Sequence, residues 1–127
     1  MSEPGADEVG ARLRSELGLQ RWEAIGHYLS DGDFLGLNLR DYQGAIKEYQ
    51  NAWNLLSTPW QRQVCGADIL AGIAEFALQS RDPKLASEIL GTLLCHAEST
   101  NNESLQSAYE ALSELARNAP GTISPCS

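Results

Sequence analysis

The stretch Asp41-Tyr42-Gln43-Gly44-Ala45-Ile46-Lys47-Glu48-Tyr49-Gln50-Asn51-Ala52-Trp53-Asn54-Leu55-Leu56 decides the fold class. Tyr42, Ala45, Ile46, Tyr49, Ala52, Trp53 and Leu56 recur at spacings of three and four, with Gln43, Lys47, Gln50, Asn51 and Asn54 opposite them. A 3.6-residue period stacks the first set on one side, so the segment reads as an amphipathic helix with its apolar stripe turned inward. Asp41 suits the cap of that helix. Just downstream, Thr58-Pro59-Trp60-Gln61 combines two start signals: a capping box from Thr58 to Gln61, and proline at the first helical position.

The same period extends in both directions. Upstream, Val9, Leu13 and Leu17 recur at intervals of four and Gly18 closes the helix; Trp22, Ile25, Tyr28 and Leu29 then share one side of a second. Ser30-Asp31-Gly32-Asp33 reads as a break, prolonged by Gly36 and Asn38. Downstream, Val64, Ala67, Leu70, Ile73, Ala74, Phe76 and Ala77 spread around a helix running to about Gln79, which marks it as the sandwiched centre of the fold. Asp82-Pro83 opens a helix carrying Leu85, Ala86, Ile89, Leu90, Leu93 and Leu94. Thr100-Asn101-Asn102-Glu103 offers a further capping box before Leu105, Ala108, Leu112 and Leu115. No alternating run bounded by hairpin turns reads as a strand. The expectation is an all-α fold of about six helices in antiparallel pairs. It forms one domain over residues 8–117, with a flexible start at 1–7 and a disordered tail at 118–127, where Pro120, Gly121 and Pro125 stand in a stretch without period.

Composition narrows the function. The chain has 127 residues, 43% of them hydrophobic, which suits a globular domain with a real core. Seventeen acidic residues against nine basic ones give a formal net charge of −8. That balance opposes binding to nucleic acid or anionic membrane and favours a neutral or basic protein partner. The acidic start lacks an export signal and no apolar run reaches membrane length, so a cytoplasmic location is expected. Cys65, Cys95 and Cys126 form neither a disulfide framework nor a metal motif. Cys65 and Cys95 lie in apolar helical stretches and are expected to be buried free thiols in a reducing compartment.

Asp41-Tyr42-Gln43-Gly44-Ala45-Ile46-Lys47-Glu48-Tyr49-Gln50-Asn51-Ala52-Trp53 resembles the second helix of a tetratricopeptide repeat: an aromatic, a small residue three on, an aromatic four further, and a small residue three beyond. Asp82 to Leu90 resembles the same element again, with Leu90 in place of the aromatic. Leu70, Ile73, Ala74 and Ala77 fall at that family's first-helix packing positions. The resemblance covers roughly residues 20 to 95. It implies a superhelical array in which Ala45, Ala52, Ala74 and Ala86 sit where helices cross closely. The match is irregular. Ala45 and Ala86 are 41 residues apart where the family period is about 34, Ser30 to Leu39 looks inserted, and the third unit near Ala108 is reduced to a cap. A plain helical bundle is the other reading.

Catalytic chemistry is not legible. Asp31-Gly32-Asp33 lacks the glutamate a calcium loop needs at its twelfth position, where Tyr42 stands. His27 and His96 are isolated, and no phosphate loop, serine elbow or carboxylate pair appears. No catalytic residue, metal or cofactor is expected. Trp22, Tyr42, Tyr49, Trp53 and Trp60 read as core before they read as a ligand cage. The resemblance implies a groove lined by the first helices of successive pairs. It would show Gln20, Glu23, His27 and Asp31 from one, and Asp68, Ala71, Glu75, Leu78 and Gln79 from the next. The candidate partner-binding residues are therefore Glu23, His27, Asp31, Asp68, Glu75 and Gln79. The function expected is a non-catalytic adaptor or chaperone that holds a protein in an acidic groove. The alternatives are an immunity protein or antitoxin masking a toxic enzyme, and a helical enzyme or small-ligand-binding domain. An incomplete array also leaves faces that suit a homodimer.

Overall fold

A computed structural model describes residues 6–100 and 104–117. Among them every regular element is helical: α1 (Ala6–Leu17), α2 (Leu19–Asp33), α3 (Tyr42–Asn54), the single turn α4 (Pro59–Gln61), α5 (Ala67–Ser80), α6 (Pro83–Thr100) and α7 (Ser104–Ala116). Two wide π-helical turns, Phe34–Asn38 and Arg62–Gly66, continue α2 and join α4 to α5. Because the backbone stays in the right-handed well through both joints, the described residues form six rods, as the period predicts. Helix α1 starts inside the stretch expected to be flexible. Residues 1–5, the tail at 118–127 and, of the expected capping box, Asn101 to Glu103 lie outside the described residues.

Local signals place most boundaries. Gly18 joins α1 to α2 at φ 82°, ψ 155°, a conformation that a side chain would strain. The Asp41 carboxylate accepts from the Gly44 amide at 3.0 Å, and Thr58 Oγ1 accepts from the Gln61 amide at 3.2 Å behind Pro59. Asp82 Oδ1 accepts from the Lys84 amide at 3.0 Å. Arg81 ends α5 in the left-handed region at φ 56°, where glycine is the usual occupant.

Helix α5 is the centre. It packs on α3, α6 and α7, while α2 packs on α3 and α1 on α2. Ile69, Leu70, Ile73, Ala74, Phe76 and Ala77 are all buried along it, which explains why its apolar residues encircle the axis. Ala45, Ala52, Ala74 and Ala86 are buried, at most 1% exposed, consistent with close helix crossings.

The break expected at Ser30 to Leu39 is not a break. Ser30 to Asp33 complete α2, and the π turn carries the rod to Asn38. The glycines there provide clearance for aromatic rings. A Cβ on Gly32 would stand 2.6 Å from Tyr49 Cδ1, and one on Gly36 would stand 2.3 Å from Phe76 Cε1. The second π turn repeats the device, with Gly66 against Trp53 at 2.4 Å. Glycine in this stretch reads as a turn signal in sequence, but in the structure it lets a helix approach a ring.

Helix α1 is held by a polar network that the pattern did not reveal. Arg12 Nε pairs with Glu16 Oε2 at 2.8 Å and its guanidinium lies 3.7 Å from the Trp60 ring centroid. Gln61, only 1% exposed, donates from Nε2 to Glu16 Oε1 at 3.3 Å and accepts the Ser57 amide on Oε1 at 2.8 Å. The Arg12 hydrogen bond holds the Glu16 carboxyl below its ordinary pKa. The expected Thr58–Gln61 capping box therefore reaches back one residue further, to Ser57, and across to α1.

The cysteine expectation is corrected in part. Cys65 is a free thiol, but Cys95 is disulfide-bonded, which removes the argument for a reducing compartment. Its apolar neighbours in sequence misled: Leu93 is wholly buried and Leu94 is 44% exposed, because consecutive helical residues point in different directions. Cys95 itself is only half-buried.

Candidate functional site

Tyr49 organises the face between α2 and α5. Its ring, carried on α3, fits edge to edge between the two helices: Cδ1 and Cε1 meet Gly32 of α2, and Cε2 and Cδ2 meet Gly72 of α5. A Cβ on Gly72 would stand 2.3 Å from Cε2. Phe76 packs against the ring at right angles, with centroids 5.4 Å apart. The Tyr49 hydroxyl donates to Asp33 Oδ1. Burial, and then the hydrogen bond that the hydroxyl donates to the Asp33 carboxylate, push the phenol well above its ordinary pKa.

Two cavities flank this ring. The larger, about 530 Å³, is bounded by α1, α2, α3 and the Arg62–Gly66 turn running into α5. Leu13, Trp22, Leu29, Val64 and Ile69 make it apolar, and Glu23 and Asp68 are its charged residues. Cys65 also lines it. Burial, with the Asp68 charge adding to it, raises the pKa of that thiol and keeps it protonated. The Arg14 guanidinium lies 5.8 Å from the Trp22 ring centroid. The smaller cavity, about 240 Å³, lies between Asp33 and Leu37 on one side and Glu75 and Gln79 on the other, with Tyr49 and Phe76 beneath.

The six expected residues divide accordingly. Glu23 and Asp68, exposed, meet at the larger cavity. Glu75 and Gln79, also exposed, meet at the smaller, with Gln79 Nε2 donating to Glu75 Oε1 at 3.4 Å. His27 and Asp31 are exposed on α2 and line neither. Ala71 and Leu78, placed in the groove by the resemblance, are partly buried against the core.

Register explains the difference. The residues of α2 and its turn that line the two cavities are Trp22, Glu23, Ile25, Gly26, Leu29, Asp33 and Leu37, so of the expected Glu23, His27 and Asp31 row only Glu23 faces a cavity, while His27 and Asp31 lie further round the helix. Sequence reasoning missed Asp33 and the central place of Tyr49. The available signal was glycine inside two otherwise helical patterns, Gly32 and Gly72, which marks a close approach by something large.

Elsewhere, His96 packs on Trp53 with centroids 4.6 Å apart, and burial followed by the Arg62 charge lowers its pKa. Among the described residues no cluster of three or more His, Cys, Asp or Glu is placed to hold a metal, and no helix is long and apolar enough to cross a membrane. No protein-family model, curated protein or solved structure matches the chain.

Proposed function

We propose that this chain is a non-catalytic, tetratricopeptide-like protein that binds a neutral or basic protein partner along the α2–α5 face. The observation that carries the reading is the combination of carboxylates and exposed apolar side chains there. Glu23, Asp68 and Glu75 stand exposed beside the two cavities, and none of them is ion-paired among the described residues. The π turn brings Leu37, 65% exposed, to the smaller cavity and also carries Phe34 at 54% exposure, with Leu39 beyond at 59%. Exposed apolar groups gathered beside polar ones are a common mark of a protein interface. The helix succession α2–α3 and α5–α6, with α3 packed between α2 and α5, supports the tetratricopeptide-like part of the reading.

The test uses the protein retained by the tagged chain from its native source. Asp68→Lys/Glu75→Lys should slow association with it and flatten the salt dependence, because surface charges act mainly on encounter. Both positions are exposed, so the melting curve should stay within about 0.5 kcal/mol of the parent. An unchanged association rate would contradict the placement of the partner.

A further inference from the structure

Four helical glycines are explained by rings: Gly32 and Gly72 by Tyr49, Gly36 by Phe76 and Gly66 by Trp53. Gly26 is different. It lies in the middle of α2, where glycine weakens a helix, yet a Cβ there would meet nothing within 4 Å. Gly10 of α1 is likewise open, but it is not part of a cavity lining, whereas Gly26 lines the larger cavity. Packing within the chain gives no reason for the missing side chain at Gly26. Gly26 is exposed on the lining of that cavity, so a larger side chain there has room to reach across it.

The cavity has the character of a small-molecule site. Its volume of about 530 Å³ falls within the roughly 300–1,000 Å³ typical of such sites. Its walls are mostly apolar, and its charged residues are both acidic: Glu23 on α2 and Asp68 on α5. Both are exposed and neither is ion-paired among the described residues, so their charges are available to a ligand. An anionic ligand would meet two like charges, while a purely apolar one would leave both carboxylates without a counter-charge.

We infer that this cavity binds a small amphipathic amine, its apolar body among Trp22, Leu29 and Ile69 and its protonated nitrogen beside Glu23 and Asp68. The site adds a small-molecule ligand to the face proposed for the protein partner and does not depend on that partner.

The test follows the fluorescence of the neutral probe N-phenyl-1-naphthylamine as octylamine, octanol or octanoate displaces it from the full chain. The parent should bind the probe, and octylamine should displace it at about fivefold lower concentration than octanoate, the scale of a partly exposed ion pair. Glu23→Gln/Asp68→Asn should bring amine and carboxylate to within about twofold of each other and leave octanol unchanged. Gly26→Leu should fold, by circular dichroism, and lose the probe. A second readout stands apart from any refolding defect: octylamine should slow alkylation of Cys65 in the parent, followed by mass spectrometry of the peptide containing it. No probe binding by the parent, equal displacement by amine and carboxylate, retained probe binding in folded Gly26→Leu, or no protection of Cys65 would each overturn the assignment.

Discussion

A Cβ on Gly32 would stand 2.6 Å from Tyr49 Cδ1 and 3.1 Å from the Ala45 carbonyl oxygen, whereas one on Gly26, six residues earlier on the same helix, would project into open space. The two glycines look alike in sequence and have opposite surroundings. At Gly32 the absent side chain is filled by a ring from the neighbouring helix. At Gly26, an exposed residue on the lining of the larger cavity, nothing occupies it. The pair shows that a helix-interior glycine is better read by asking what occupies the vacated space than by treating it as a helix breaker.

The clearance side of this comparison can be broken most severely at Gly72. Tyr49 is held between Gly72 and Gly32 and by its hydrogen bond to Asp33, so it cannot swing aside to admit a new side chain. Gly72→Leu should cost about 3 kcal/mol, the upper end of the usual overpacking range, measured by denaturant titration. A loss below about 0.5 kcal/mol would show that the ring is not held.

Next in size is Gln61→Ala. It removes a buried side chain that accepts the Ser57 amide and donates to Glu16, at an expected cost of about 1–2 kcal/mol. The loss should fall chiefly on α1, so hydrogen exchange should quicken across Ala6–Leu17 while α5 is unchanged. Uniform quickening would place the network in the core.

The smallest effect concerns pH. His96 has a lowered pKa in the folded chain, so the unfolded chain binds more protons between that value and about 6.5. Stability should therefore decline as pH falls through 6.5, a window well separated from Glu16. The Glu16 carboxyl, also lowered, contributes stability that is lost only in acid, below the ordinary glutamate value of 4.5. Between pH 7.5 and 5.5, His96→Gln should be less pH-sensitive than the parent in denaturant midpoint. An identical slope would remove His96 from the account.

Legibility in the sequence followed the range of the interaction. Gly18, Asp41, Thr58 and Asp82 act on amides within a few residues, so their roles at helix ends could be read from neighbours alone. The continuation of α2 through Asp33 into Phe34–Asn38 could not, because it depends on Gly32 meeting Tyr49 and Gly36 meeting Phe76, partners 17 and 40 positions away. The candidate site divides in the same way. Glu23, Asp68, Glu75 and Gln79 follow from the tetratricopeptide resemblance, which points to first helices, whereas Tyr49 stands on the second helix of a pair and lies outside that expectation. Cys95 was misread because apolar neighbours in sequence are not neighbours across a helix.

The claim at the centre is that α2 seats Tyr49 at Gly32 and leaves open space at Gly26. The measurement that meets it most directly is the unfolding free energy of Gly26→Ala beside that of Gly32→Ala. Gly26→Ala should be more stable than the parent by about 0.5–1 kcal/mol, from better helix propensity without a clash. Gly32→Ala should be less stable by about 1 kcal/mol or more, from overpacking against Tyr49 and the Ala45 carbonyl. Shifts of the same sign in both variants would contradict the account.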